Sequence, residues 1–596
     1  MMTLIKKNSF AGKVLFLLFF LAICLPGFVF LRSDSDSSLS YGIYADEGYK
    51  TFNARNRVLF GKYFWNKNDE YEGWYKRSPV MTGIYIQAFN FFGVNLLTIR
   101  VVAAIFTVFS IFLIYLISKK FFRDKKHLKF LSVSLAGFSY IYFTYGRIGF
   151  FEIPANVPLL LIVMGCFLFL DYYNRNREIR ENLLGYLFSI LLIFIGIVFS
   201  YKIKLTSLIS IIAILGGAGV SVVIIEIKRN PGFSEKTKVK IIRYLISGLI
   251  IIFFSSLLLF SSFECLRGMI YASRPFSPVL ITFLSLLKTR FIAYNPIIFL
   301  FAGIFSLYTI AGYTKNNINK MDNNQTGYFD LIFVVWFLLS SVITISLVYH
   351  PLRYFLHAYV PMFFCAARFI TEKKEIEKYL ESKKTIIQRI ILFFLLIISA
   401  SSLLFSVSMG LAGFYHTDKF VHALKDNLIN LRFINIFNLC YPVFIGGVLI
   451  VMLFIVRKKI VKKVGFNKII MFFLCIYFLC QSMLFGKWLL TNEQSIFRLS
   501  GEITKFVGED RILAGSMAPS LGVENRIRTI YINANEEEKA WNLYNLRKIK
   551  PDFLIISGDS QFGKIKKIYP LEMSRARLIK KYHLGVHELK LYALKW

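Results

Sequence analysis

The chain has 596 residues, 56% hydrophobic and 17% aromatic, with a mean hydropathy of +0.56. A single soluble core cannot hide that much apolar surface, so a soluble globular protein is excluded. The net charge of +37, from 72 basic and 35 acidic side chains, would point to nucleic acid in a soluble chain. Here the basic residues fall between long apolar runs, as the positive-inside rule arranges them, and no nucleic-acid partner is expected. The apolar runs are continuous rather than alternating, which selects membrane helices over a β-barrel.

Lys6, Lys7 and Lys13 precede the first apolar run, Val14 to Leu31. With no small-x-small cleavage site and many spans to follow, it reads as a retained signal anchor. The segment Arg32 to Asn95 is aromatic and broken by Gly61, Gly73 and Pro79. Within it Glu47 to Phe60 and Pro79 to Phe92 read as short interfacial helices, too polar or too short to span.

Basic clusters then alternate with apolar runs: Lys119 to Lys129, Arg175 to Arg180, Lys228 to Arg243, Lys315 and Lys320, Arg368 to Arg389, and Arg457 to Lys468. Placing them in the cytoplasm predicts an α-helical polytopic protein of the cell membrane with about 13 transmembrane helices, N-terminus inside. The turns near Glu152 and Lys204, the segments Phe263 to Phe291 and Phe414 to Phe433, and the hairpin at His350 to Arg353 then lie outside. Residues 1–490 form the membrane module, with 32–95 as its first extracytoplasmic loop. From 491 to 596 the character changes. RILAGS, TIYIN, DFLIIS and ELKLYAL read as strands, and Asn535 to Arg547 and Met573 to Tyr582 as helices, giving a small extracytoplasmic α/β domain.

The seven cysteines are scattered and make no CxxC, as buried small apolar residues do. His350, His357, His416 and His422, with Asp418, show no metal-ligand spacing and read as structural groups. No metal site is assigned.

Three features carry chemistry. In YADEGYKTFNARN, Asp46 fits a general base at a water–membrane boundary, or the N-cap of the helix that follows it. In YGRIGFFEIP, Arg147 and Glu152 fit either a site or an ion pair closing a helical hairpin. Lys76, Arg77, Lys202, Lys204 and Arg353 converge on the outer face. Singly each fits a snorkelling charge, and together they fit a phosphate at headgroup depth.

Taken in order, these stretches resemble the GT-C class of membrane glycosyltransferases, on the branch of the protein O-mannosyltransferases and the lipid A aminoarabinose transferase. The resemblance runs through YADEGYKTFNARN, the Lys/Arg approach to Pro79, FFGVNLLTIR ending at Arg100, YGRIGFFE, YKIKLT, and HPLRYFLHAYVP ending at Pro361. It covers residues 10–370 well and the rest in outline. It implies transfer of a sugar from a polyprenyl-phosphate donor to an acceptor hydroxyl on a protein, lipid or polysaccharide, with inversion, at the membrane's outer face. It implies Asp46 as the base and Glu152 as the second acid, placing the acceptor or a divalent cation. It implies Lys204 and Arg353 on the phosphate side, Lys76 or Arg77 as a third cation, and Tyr354 lining the pocket. Glu47 and Arg147 join the substrate-binding set. Glu152 stands where relatives often have Asp, and Ser78 separates the cations from Pro79. The rival reading is a membrane transporter or lipid-sugar flippase, which places ionisable groups at mid-membrane depth. The tail shows no catalytic motif and reads as a substrate-handling or structural lid.

Overall fold

The computed structural model describes residues 10–34, 42–63, 72–230, 292–314, 326–346, 352–382, 465–490, 494–532, 546–584 and 587–596, apart from 124, 126, 175–181, 293 and 558, with isolated positions in 232–241 and 388–399 besides. Phe263 to Phe291, Phe414 to Phe433, His350, His416, His422 and Asp418 lie outside the described residues, as does most of the Asn535 to Arg547 helix.

The chain is a polytopic helical membrane protein. Helix α1 (Phe10–Cys24) leads into a short 3-10 turn at Leu25–Phe28. The first loop carries α2 (Gly42–Phe60), α3 (Glu72–Arg77) and α4 (Pro79–Phe92). Asp46 lies inside α2, four residues past its start, so it does not cap the helix. Pro79 opens α4 where its missing N–H costs nothing, and Gly93 closes it at φ +79°. Seven helical stretches among the described residues are long and apolar enough to cross a bilayer. They include α5 (Leu96–Phe121), then, past the short α6 (Leu128–Gly137) and α7 (Tyr140–Gly146), α8 (Glu152–Asn174), α9 (Leu183–Ile203) and α10 (Ser207–Arg229). The other three are Pro296–Tyr313, Gly327–Thr344 and the stretch that begins at Phe466. Of the other predicted spans, some lie on residues outside the description, while the first run and the run after Lys129 form shorter apolar helices, Leu17–Phe28 and Leu128–Gly137.

Helices α8 and α9 touch backbone to backbone because each offers a glycine. A Cβ at Gly196 would lie 2.7 Å from the Pro158 carbonyl oxygen, and one at Gly165 2.7 Å from that of Ser189. This close approach brings the start of α8, Glu152, to the end of α9, where Lys204 is the C-cap. Charges collect at both ends of the apolar bundle. At the end away from Glu152, Arg368 forks onto Asp330 at 2.7 and 2.6 Å and reaches Glu372 at 2.8 Å, which also holds Lys125 at 2.8 Å.

Beyond residue 510 lies a five-stranded sheet in the order β2-β1-β3-β5-β4, with β1 Ile512–Ala514, β2 Arg528–Ile530, β3 Phe553–Ser557, β4 Arg577–Leu584 and β5 His587–Ala593. β1 pairs parallel with β2 and β3, while β5 runs antiparallel to both β3 and β4. The helix expected at Met573 to Tyr582 is corrected. A short helix ends at Ser574, and Arg577 begins edge strand β4, paired along its length with β5. Cross-strand pairing overrides local propensity there, and the exposed Lys580 and Lys581 suit a protected sheet edge. The domain joins the membrane half through Asp34, whose carboxylate accepts the backbone N–H of Ser495 at 2.7 Å and of Ile496 at 3.3 Å. These open the helix Ser495–Val507, where the helix dipole favours an anion.

Candidate active site

Successive residues of an α-helix turn by about 100°, so α2 presents three working faces. Asp46 and Lys50, four apart, share one. Glu47 and Thr51 share the next. Gly48 and Arg55 lie opposite the first.

The first face meets the ends of α8 and α9. Glu152 is fully buried and lies at the centre of three cations: Lys204 Nζ at 3.0 Å, Lys50 Nζ at 3.2 Å and Arg353 Nε at 3.6 Å. Arg353 also reaches Asp46 at 2.7 Å. The Tyr354 ring flanks Lys204 at 5.4 Å and Arg353 at 5.5 Å, and the Phe150 ring lies 4.0 Å from Lys50 Nζ. Three cations and two carboxylates leave one net positive charge. Asp46 is 21% exposed against 0% for Glu152, so only Asp46 of the two acids is open to an incoming molecule.

The structure therefore gathers Asp46, Glu152, Lys204, Arg353 and Tyr354. Sequence reasoning missed Lys50. Its signal was present, since a basic residue four after Asp46 on a helix must share its face. Burial pushes the Lys50 ammonium down to about 7 from 10.5. Glu152 pulls it back up most strongly, Lys204 and Arg353 push it down, and Asp46 pulls it up. The sign of the pH effect follows. Between about 7 and 10.5 the unfolded chain holds the proton and the folded one does not, so raising pH through that window stabilises the fold while removing one charge from the site. The expected result is that the melting temperature of the parent chain rises through that window relative to that of Lys50→Arg, which keeps its charge. Thermal scans from pH 6 to 9 in lipid nanodiscs check it.

Glu47 and Arg147 point elsewhere. Glu47 is 2% exposed. Its carboxylate accepts Arg100 Nε at 3.0 Å and Nη2 at 2.8 Å, and the Gly149 backbone N–H at 3.0 Å. Arg100 also donates to the carbonyls of Leu31 and Ser33 at 2.7 and 2.6 Å. Arg147 donates to the Phe30 carbonyl and the Ser33 hydroxyl, and lies 4.3 Å from the Trp488 ring. The Arg147–Glu152 pair considered from sequence does not form, because Glu152 is already enclosed by Lys50, Lys204 and Arg353. These two residues fix the exit of the first span against α2 and α5. Glu47→Gln leaves Arg100 buried without its counter-ion. It should cost roughly 3–5 kcal/mol of stability, read as a large drop in melting temperature and folded yield.

Lys76 and Arg77 are exposed at the end of α3. Ser78 Oγ donates to the Ile203 carbonyl at 2.7 Å, which docks this junction beside Lys204. Lys202 is exposed. His357 Nδ1 meets Asn156 Oδ1 at 2.9 Å within the helix bundle. Among the described residues no three His, Cys, Asp or Glu side chains gather as metal ligands do.

The fold is thus a helical bundle with a buried charge cluster at one end, a first-loop helix that supplies part of that cluster, and a C-terminal α/β domain. Among solved structures, the apo state of ArnT from Cupriavidus metallidurans is similar over 98% of both chains, with a TM-score of 0.50 and 12% identity. The same protein bound to undecaprenyl phosphate matches over 98% of both chains with a TM-score of 0.47 and 11% identity. At such identity the likeness is one of fold. No family profile and no curated protein matches the sequence.

Proposed function

We propose that the chain is an integral-membrane glycosyltransferase that moves a sugar from a polyprenyl-phosphate carrier to an acceptor hydroxyl at the extracytoplasmic face. The observation that carries this reading is the convergence of Lys50, Lys204 and Arg353 on Glu152, with the partly exposed Asp46 on the same guanidinium. A carrier phosphate bears the charge this cluster is built to hold, and Arg353 offers a fork that matches it. Until the phosphate arrives, Glu152 holds the cations in place, so they need no reorganisation in the transition state.

The reaction is a single displacement. Asp46 takes the proton of the acceptor hydroxyl, whose oxygen forms a bond to the anomeric carbon. The bond from that carbon to the phosphate oxygen breaks, and its electron pair leaves on the phosphate. The anomeric configuration inverts. Lys204, Arg353 and Lys50 meet the charge that grows on the leaving group, with Lys76 and Arg77 at the entrance and Tyr354 as a wall. Glu47 and Arg147 act as frame.

Glu152 and Lys204 lie at ends of spanning helices, and Asp46 and Lys50 lie on the first-loop helix α2, an arrangement that favours an enzyme at the interface over a transporter or flippase. Mass spectrometry of envelope glycans tests this in a strain lacking the gene. A glycan should lose one sugar, parent chain should restore it, and Asp46→Asn should not. Full restoration by Asp46→Asn would favour the flippase.

A further inference from the structure

We propose that the C-terminal α/β domain positions the catalytic helix, and that Arg55 is the positioning residue through which it acts. The proposal rests on the functional reading above for its turnover and binding measurements, and hydrogen exchange in α2 tests it independently of that reading. Arg55 is 1% exposed and lies on the face of α2 opposite Asp46 and Lys50. Its guanidinium donates to three backbone carbonyls of the C-terminal domain: Nε to Gly522 at 2.8 Å, and Nη2 to Asn525 and Ile527, both at 2.7 Å.

Those carbonyls are themselves held. Asn525 Nδ2 donates to the Leu521 carbonyl at 2.9 Å and to Ser500 Oγ at 3.2 Å, and its Oδ1 accepts the Ile527 N–H at 3.1 Å. Arg55 is thus anchored to a braced loop. Two turns earlier, the Gly48 N–H donates to Ser520 Oγ at 3.3 Å. A Cβ on Gly48 would lie 2.4 Å from the Ser520 backbone, so glycine is what lets the short helix Ala518–Leu521 lie directly on α2. Glu524 accepts the N–H of Leu96 at 2.7 Å, tying the same loop to the start of α5.

Gly48 lies midway between Asp46 and Lys50 in the sequence. On one side α2 is fixed by Glu47 to Arg100, and on the other by Gly48 and Arg55 to the C-terminal domain. Yet the five charges of the cluster all come from the membrane half. Arg55 is nine residues from Asp46, about 13 Å along the helix, and so acts on the chemistry only by fixing where α2 lies. This gives the domain a task that needs no catalytic motif of its own.

The test uses full-length protein in nanodiscs, with Arg55→Leu and Arg55→Lys. Undecaprenyl phosphate is the binding probe. Glycan restoration in the deletion strain is the turnover readout, and hydrogen exchange reads α2. Arg55→Leu should keep undecaprenyl phosphate affinity within about threefold while turnover falls about 10- to 100-fold, the scale set by small misplacements of a reacting group. Exchange should rise across 42–60 and stay unchanged in α5 and α8. Arg55→Lys, which keeps the charge but not the three-way fork, should fall between. Parent-like turnover with parent-like exchange in Arg55→Leu overturns the proposal, and so does equal loss of binding and turnover with exchange raised throughout. A parent chain that transfers no sugar overturns the functional reading alone, and exchange in α2 then decides this one.

Discussion

Arg353→Ala is expected to weaken undecaprenyl phosphate binding by roughly 30- to 150-fold, the equivalent of about 2–3 kcal/mol for a charge-assisted contact. Arg353 touches both acids, at 2.7 Å to Asp46 and 3.6 Å to Glu152. On the proposed reading its loss removes the fork that would meet the phosphate, and it takes away the guanidinium 2.7 Å from Asp46. Turnover should therefore fall further than affinity. Arg353→Lys should recover part of the affinity, since a point charge remains, but little of the turnover. Equilibrium binding in nanodiscs at fixed salt, paired with glycan restoration, reads both. Unchanged affinity in Arg353→Ala would remove this residue from the phosphate side.

Glu152→Gln should have the second large effect, and a less obvious one. Three cations then face one another in a buried space with the Asp46 carboxylate left beside them. Breaking a buried ionic network by removing one partner costs roughly 3–5 kcal/mol. The ligand-free variant should melt well below the parent chain. A phosphate supplies the missing negative charge, so undecaprenyl phosphate should raise the variant's melting temperature more than the parent's. Thermal scans with and without the lipid check this. Equal ligand-induced shifts in the two proteins would mean that Glu152 does not occupy the phosphate's place among the cations.

Much of this was legible in the sequence because hydropathy and charge placement are local signals. The long apolar runs marked α5, α8, α9 and α10, and the segment Pro79 to Phe92 matched α4. Glu152, Lys204 and Arg353 stood out as charges at the ends of such runs, and Asp46 as an acid in the loop after the first run. What the sequence hid was geometry. Arg147 and Glu152 are five residues apart and invite pairing, but the turn between them sends Arg147 to Phe30 and Glu152 into the cation cluster. Glu47 and Asp46 are adjacent, yet 100° of helix rotation gives one to Arg100 and the other to Arg353. Lys50 passed unnoticed because its partner Glu152 is 102 residues away. Arg577 to Tyr582, most of strand β4, read as helix because the pairing with β5 is invisible to local propensity. Arg55 looked like one more basic residue on an interfacial helix, since the carbonyls it holds lie some 470 residues on.

The account depends most on one placement, the carrier phosphate among Lys50, Lys204 and Arg353. An experimental structure of the protein with undecaprenyl phosphate would test it directly. Phosphate oxygens about 2.7–2.9 Å from Lys204 Nζ and the Arg353 guanidinium, with Asp46 facing the open side, are predicted. A phosphate bound away from these groups, with Glu152 still holding its three cations, would contradict it.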